Sequence, residues 1–582
     1  DRTIAIPAVE EAGKQLVFLR PRRFGKSLLL SMLANYYDIN TAAQFDTLFG
    51  DLAVGKNPTP EHNQYLVLRW DFSKVSAQGD LEQIKNSLFE VLNQEFKGFI
   101  QTYQHLLTGQ VDIRDDALAS FMAVLNAVRL SGQQLYLLID EYDNFANEVL
   151  VHDLSNGQRY RDLLESEGIV KTLFKVIKGS ASEGKIARVF ITGVSPVVLS
   201  DMTSGYNVAT SIYQDEEFNA LCGIAESELA GLVGKVIQAC ELPDTKAAEV
   251  LDTMRLFYNG YRFCPDIVQP TLYNPTLCFY FLRFYQKKCE PPRQMLDGNL
   301  AMDAGRIRYI ANLPGGASVI GNILDEQNPV LLPYLESQFG VEQLHRLQTD
   351  ARYMVSLLYY FGVLTIGGLA GALDELQLDV PNRVIYALYV DTLREKALPE
   401  LADRRQVETL AKQFYQTADL QPLADYLESR YFAVFNNRDY RWGNELTIKA
   451  AFMSLLFDDM YYIMDSESAL QRRYADLVMV IRPDMRRLAV LKDFVLEFKY
   501  LKPSDVGLTG EALRQQSREA LLALPVVQAQ MQAAMVQLQD YRRVLVGKYR
   551  QPERLYCLAV VALGFERVVW QMLTDNPHQT PV

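Results

Sequence analysis

The 582-residue sequence predicts an α/β multidomain protein with a parallel sheet at its N-terminal end. Three observations predict it. Short apolar runs alternate with helical patterns through the first third. A Gly25-Lys26-Ser27 tripeptide follows the first of those runs. From residue 444 onward, strand candidates return around one long helical pattern. The length suits about three to five domains.

The early runs are Leu16 to Leu19, Tyr65 to Leu68, Leu135 to Ile139 and Val189 to Ile191. Each is apolar on both faces, as in a parallel strand covered by helices on either side. Residues 215 to 290 read mostly helical, with a turn at Asn259-Gly260. The apolar stretch Tyr353 to Ile366, a break at Gly367, Gly368 and Gly371, and Leu376 to Asn382 suggest helices followed by a small strand pair. A helix is expected from Asn444 to Phe457. Strands are expected at Tyr461 to Met464, Ala475 to Ile481, Phe494 to Tyr500 and Tyr556 to Ala562. A Gln- and Ala-rich helix should span 511 to 546, broken at Pro525.

Composition excludes several classes. Hydrophobic residues make up 49% and charged residues 22%, the balance of a folded globular chain. A net charge of −13 argues against coating nucleic acid by bulk positive charge, but leaves room for a local basic groove. Six scattered cysteines without a C-x-x-C pair argue against a disulfide framework or a zinc ribbon. The five histidines show no metal cluster. No apolar run reaches the length of a membrane span. A reduced cytoplasmic setting is expected, with no membrane partner and a first residue that is not the natural start.

Strand, loop, Gly-Lys-Ser and helix is the order of a phosphate-binding P-loop. Loop amides and the helix N-terminus offer a positive end to phosphate. Lys26 can reach the β- and γ-phosphates, and Ser27 can present its hydroxyl to Mg²⁺. Arg20 stands where the usual pattern has its first Gly, so the loop either starts with different backbone angles or carries strain. Arg22 and Arg23 add charge beside the phosphates, and Arg20, Arg22, Arg23 and Gly25 are counted with Lys26 and Ser27 as candidate nucleotide contacts. The run ending at Ile139 is followed by Asp140-Glu141, which lands at the same sheet edge. Asp140 can hold the Mg²⁺ shell and Glu141 can orient or deprotonate the attacking water. Thr192, after the run Val189 to Ile191, is a candidate sensor of the γ-phosphate or a plain turn residue. Arg262 is a candidate phosphate contact or a turn stabiliser.

Near the C-terminus, Glu497 and Lys499 fall on one strand face and Phe494, Leu496 and Phe498 on the other. A carboxylate beside an ammonium suits metal-dependent phosphodiester cleavage. The plainer reading is a solvated surface ion pair. Asp476 opens the preceding strand, and Glu445, after Asn444, opens the earlier helix. Both can add hard oxygen ligands for Mg²⁺, with Mn²⁺ as the alternative metal. Residues 470 to 502 hold eight basic residues (Arg472, Arg473, Arg482, Arg486, Arg487, Lys492, Lys499, Lys502) against four acidic ones. That net +4 fits either a phosphate track or a solvated hairpin.

These residues resemble the bacterial AAA-ATPase-like proteins that carry a C-terminal PD-(D/E)XK nuclease domain. The resemblance is carried by Asp1-Arg-Thr3, Arg20 to Ser27, Leu138-Ile-Asp-Glu-Tyr-Asp143, Ile191-Thr-Gly-Val-Ser-Pro196, Phe257 to Phe263, Tyr273-Asn-Pro275, Gly362 to Ile366 with Val380-Pro-Asn382, and the order Glu445, Asp476, Glu497-x-Lys499. Ala475 departs from the Pro expected before the Asp. The resemblance implies a P-loop ATPase core over 1–215, a helical lid over 216–290, a winged-helix-like block over 291–425 and a restriction-endonuclease-like α/β domain over 426–582. It further implies ATP and Mg²⁺ as cofactors, a supporting glutamine among Gln532, Gln537 and Gln539, DNA as the nucleic-acid partner and a role in bacterial defence, with a homo-oligomer left open. The alternative is a nucleotide-dependent switch or scaffold whose nuclease-like domain binds without cutting.

Overall fold

A computed structural model of the chain describes residues 1–144, 169–196, 209–296, 301–324, 329–339, 346, 350–432, 445–465, 468–470, 473–548 and 551–573. They fall into two units. One comprises Asp1–Gln286, Leu300–Val319 and Val330–Arg383; the other comprises Lys287–Asn299, Ile320–Pro329 and Val384–Val582.

The first unit is built on a five-stranded parallel sheet of β1 (Gln15–Leu19), β2 (Tyr65–Asp71), β3 (Gln134–Asp140), β4 (Arg188–Gly193) and β5 (Thr210–Ser211), in the order β2-β3-β4-β1-β5. The four longer strands are those expected from the apolar runs; two-residue β5 is too short to show in sequence. Phe18, Leu137 and Phe190 are fully buried because helices cover both faces. Among these are Lys26–Tyr37, Leu81–Thr102 with a capping box between Asp80 and Gln83, and Ala117–Leu130 capped by Asp116. Register fixes what shares the carboxyl edge: Leu19 pairs with Gly193, Ile139 with Ile191 and Asp71 with Asp140. β4 lies between β1 and β3, so Thr192 comes between the phosphate loop and the acidic pair.

Helices Glu226–Ala239 and Thr245–Tyr258 follow the sheet. A small antiparallel sheet of β6 (Val330–Leu332), β7 (Thr365–Ala370) and β8 (Glu375–Asp379) belongs to this same unit. Residue 262 stitches it in: Arg262 N donates to Thr365 Oγ1 at 2.8 Å, and Ile366 N donates to Arg262 O at 3.2 Å. The block expected over 291–425 is therefore shared between the two units, with residues up to 299, 320–329 and those from 384 onward in the second. Its later helix, Arg383–Ala397, joins the second unit, where Arg394 donates to the carbonyls of Ser454 and Phe457.

The second unit holds a five-stranded sheet in the order β15-β14-β13-β12-β9. Its strands are β9 (Tyr462–Asp465), β12 (Leu477–Ile481), β13 (Asp493–Leu501), β14 (Leu555–Leu563) and β15 (Arg567–Met572); a short pair, β10 (Ser468–Leu470) and β11 (Arg473–Ala475), stands apart. β13 and β14 are parallel and the other neighbours antiparallel. Helix Pro525–Lys548 covers one face. Val527, Met531, Ala534, Leu538, Tyr541 and Leu545, at alternating spacings of four and three, pack with Val495, Cys557, Ala559 and Val561. The stretch expected over 511–546 is interrupted at Pro525 as expected, and once more upstream, giving helices Gly510–Gln515, Arg518–Leu522 and Pro525–Lys548; Pro525 starts the long helix, where a first-turn proline gives up no intrahelical bond. Helix Glu445–Leu456 packs on the opposite side of β13, with the Phe452 and Phe498 rings 5.0 Å apart.

Cys222, Cys264, Cys278 and Cys557 are free and buried, whereas Cys240 and Cys289 are disulfide-bonded, which their spacing did not announce. Among the described residues, no helix is long and apolar enough to cross a membrane.

Candidate functional site

The loop after β1 resolves the question posed by Arg20. Arg20 is not among the residues with positive φ; Arg23 (φ 65°) and Gly25 (φ 99°) take the left-handed positions. Arg20 is instead 1% exposed, and its guanidinium donates to the carbonyls of Leu19, Tyr213, Phe218 and Asn219 at 2.7 to 3.3 Å. It is flanked by the Phe18 and Phe263 rings, with centroids 4.4 and 4.1 Å away. Burial lowers its pKa to about 10. The expectation that Arg20 binds phosphate is corrected accordingly: both of its terminal guanidinium nitrogens are committed to backbone carbonyls that would otherwise be buried without partners. Arg262 is also turned to structure, donating to the carbonyls of Gln269 and Gly367 at 3.1 and 3.0 Å. Of its two readings, the geometry matches the turn stabiliser.

The remaining N-terminal candidates converge on the carboxyl edge of the sheet. Gly25 precedes helix Lys26–Tyr37, and Ser27 lies exposed in its first turn. Lys26 Nζ donates to the carbonyls of Arg20 and Pro21 at 3.0 and 3.1 Å and lies 3.5 Å from Glu141 Oε1. Thr192 Oγ1 donates to Asp140 Oδ1 at 2.6 Å. Arg22 donates to Asn144 Oδ1. Glu141 takes a left-handed backbone (φ 51°), a conformation costing about 1–3 kcal/mol in a residue with a side chain. Sequence reading missed Asp143 and Ser195. Asp143 is fully buried, and its carboxylate accepts from Val194 N and from Ser195 N and Oγ. The signal was present as an acidic residue three positions beyond Asp140, but only the fold shows what it holds.

In the second unit, Glu445, Asp476, Glu497 and Lys499 come together. Lys499 Nζ lies 3.0 Å from Glu497 Oε1 and 3.5 Å from Glu445 Oε1. Asp476 Oδ2 accepts from Phe498 N at 2.7 Å, which places Asp476 opposite Glu497 across the β12–β13 pair. β13 is central and covered on both faces, so Glu497 is 2% exposed, against the solvated ion pair of the plainer reading. Its Oε2 is buried and, among the described residues, has no hydrogen-bond partner, a costly arrangement for an acidic oxygen. Burial, together with the charge of Asp476, raises the Glu497 pKa to about 7. Burial also raises Asp476 and Glu445. Lys499 is raised although burial opposes its charge, because Glu497 and Glu445 attract it.

Among the described residues, no group of three His, Cys, Asp or Glu side chains is disposed to hold a metal ion. Mg²⁺ needs only one or two carboxylates, the rest of its shell coming from water and phosphate. Asp476 and the unpartnered Glu497 Oε2 supply hard oxygens of that kind. At the N-terminal edge, the Ser27 hydroxyl and the Asp140 carboxylate are the corresponding donors.

Two members of the expected basic track, Arg482 and Arg486, are committed elsewhere, while Arg487 and Lys502 are exposed. Arg482 is 1% exposed and donates to the carbonyls of Pro292, Arg293, Asp459 and Met460, while Arg486 pairs with Asp493 at 3.0 Å. Arg472 and Asn444 lie outside the described residues, and of Arg473 only the backbone is described. Gln532 and Gln539 are exposed and Gln537 is half-buried.

The sheet order, the Gly-Lys-Ser helix start after β1 and the acidic pair after β3 define a P-loop nucleotide-binding domain. Residues 1–203 match the family model described as Predicted AAA-ATPase, so this part of the chain is AAA-ATPase-like and ATP-binding. An uncharacterized protein in the vnfD 5′ region of Azotobacter chroococcum mcd 1 is 25% identical over 522 residues, covering 87% of this chain and 86% of its own length. Among solved structures, the Aeropyrum pernix ORC1 protein in complex with DNA covers 69% of this chain and 91% of its own, at 11% identity and a TM-score of 0.24. Cdc6p from Pyrobaculum aerophilum covers 66% and 88%, at 9% identity and a TM-score of 0.20. At these scores neither structure carries an inference about this chain. The family match ends at residue 203, and no comparison supports a nuclease domain.

Proposed function

We propose that the protein binds and hydrolyses ATP through its first unit and cuts a phosphodiester bond of DNA through its second. The observation that carries the second half is Glu497: a buried carboxylate with one oxygen unpartnered among the described residues, beside Asp476 and in contact with Lys499. A structural ion pair would satisfy both oxygens or leave them in water. An acid built to take a further ligand leaves one oxygen free.

In the first unit, Lys26 and the loop amides bind the β- and γ-phosphates, and Ser27 and Asp140 would hold Mg²⁺. Glu141 orients the attacking water and Thr192 fixes the Asp140 carboxylate. In the second unit, Asp476 and Glu497 would hold Mg²⁺, with Glu445 at the rim. Lys499 orients the attacking water and offsets charge growing on the phosphate. Bound Mg²⁺ supplies Lewis acidity at both sites.

The test incubates plasmid, linear and single-stranded DNA, and RNA, with Mg²⁺ or Mn²⁺, with and without ATP. Cleavage of DNA should require the divalent ion and disappear in Glu497→Gln and Lys499→Met. Both variants should keep the rise in melting temperature that ATP gives the wild type. DNA binding without cutting would favour the switch over the nuclease, and cleavage confined to RNA would overturn the substrate.

A further inference from the structure

The turn after β3 and the turn after β4 are fastened together by one buried side chain. Asp143 Oδ1 accepts from Val194 N at 3.0 Å, and Oδ2 accepts from Ser195 N at 2.7 Å and Ser195 Oγ at 2.9 Å. The neighbouring residue repeats the link. Tyr142 N donates to Thr192 O at 3.2 Å, and Tyr142 OH donates to Ser195 O at 2.5 Å. Space is tight here: a Cβ on Gly193 would fall 2.3 Å from Tyr142 Cε1 and 2.5 Å from Asp143 Oδ1. The phosphate loop joins the same knot through Arg20 N, which donates to Gly193 O at 3.1 Å, and through Arg22 on Asn144.

Glu141 stands inside this knot with a left-handed backbone, its carboxylate 3.5 Å from Lys26 Nζ. Such a conformation persists only where the surroundings over-determine it. Two of the fastened positions flank the chemistry directly: Glu141 lies two residues before Asp143, and Thr192, bonded to Asp140, lies two before Val194.

We infer that Asp143 is a positioning residue for ATP hydrolysis: by clamping the β4 turn it holds Glu141 and Thr192 in register with Lys26. The inference rests on the reading of Glu141 as the group that orients the attacking water. Asp143 exerts this role through Glu141 and Thr192. Its carboxylate accepts from two backbone amides at once, which an Asn amide nitrogen cannot do, so Asp143→Asn should open the clamp while conserving shape.

The experiment measures steady-state ATP hydrolysis and the ATP-induced melting shift for wild type, Asp143→Asn, Ser195→Ala, Glu141→Gln and the double variant Asp143→Asn/Glu141→Gln. Asp143→Asn should lose roughly 100-fold in kcat, the scale of a misplaced catalytic group, with KM and the melting shift nearly unchanged. Ser195→Ala removes one of the accepted bonds and should fall between Asp143→Asn and wild type. In the double variant the Asp143 change should cost nothing beyond Glu141→Gln, because residues acting as a unit are non-additive. Near wild-type kcat in Asp143→Asn, while Glu141→Gln is inactive, overturns the inference alone. So does additive loss in the double variant, or loss of the melting shift in Asp143→Asn. Turnover that survives Glu141→Gln, or no turnover in the wild type, removes the reading of Glu141 and this inference with it.

Discussion

Glu497→Gln should make the second unit inactive and, at alkaline pH, more stable. The Glu497 carboxyl has a pKa of about 7 against an ordinary 4.5, raised first by burial and then by the charge of Asp476. A raised acid contributes its full stability below the unfolded value. That contribution is lost as pH climbs through the folded value, because the folded state then carries an ionised group it disfavours. The window runs from about pH 4.5 to just above 7, and the displacement corresponds to about 3 kcal/mol at about 1.4 kcal/mol per pH unit. Glutamine keeps the shape and never ionises. In metal-free buffer, wild type and Glu497→Gln should therefore unfold alike near pH 4.5, and the variant should be more stable by up to about 3 kcal/mol at pH 8.5. Urea unfolding of the second unit, compared at the two pH values, measures the difference. Adding Mn²⁺ at pH 8.5 should stabilise wild type and leave the variant unchanged. A variant equal to or weaker than wild type at pH 8.5, with no metal effect on either, would refute the reasoning that Glu497 is held at a cost for a ligand.

Other expectations concern the first unit. Lys26→Ala should abolish the ATP-induced rise in melting temperature; because it also deprives the carbonyls of Arg20 and Pro21 of their buried ammonium, melting without nucleotide should fall as well. Arg20→Met strands the carbonyls of Tyr213 and Phe218 and should cost about 3 kcal/mol or more of stability, seen in thermal unfolding; ATP affinity of the remaining folded protein should be kept, since the guanidinium faces away from the phosphate loop. Gly362→Ala puts a Cβ 2.4 Å from Pro21 Cβ at a backbone φ of 78°, so it should weaken ATP binding through the phosphate loop, measurable as a raised Kd. Gly193→Ala should destabilise by about 1–3 kcal/mol through overpacking against Tyr142, with a fall in turnover measured in the same preparation.

Local pattern determined much of this protein. Short runs apolar on both faces, set between helical patterns, read as buried parallel strands, so β1 to β4 could be placed from sequence, as could the helix that begins at Lys26. A two-residue period put Glu497 and Lys499 on one face of β13 before any coordinates. Tertiary structure alone decided what these side chains meet. Whether Glu497 is solvated or buried depends on which helices cover β13, and those lie dozens of residues away in the chain. Arg20 looked like a phosphate ligand because charge beside Gly-Lys-Ser is cheap to interpret; only the folded chain brings the carbonyls of Tyr213, Phe218 and Asn219 to its guanidinium. Arg482 follows the same rule with Pro292 and Arg293. Asp143 belongs with them: the hydrogen bonds that give it a role come from the turn after β4, some fifty residues on, and contacts of that range leave no periodicity to read. Sequence spacing sets the direction in which a side chain points, but its partner is set by the packing of distant segments.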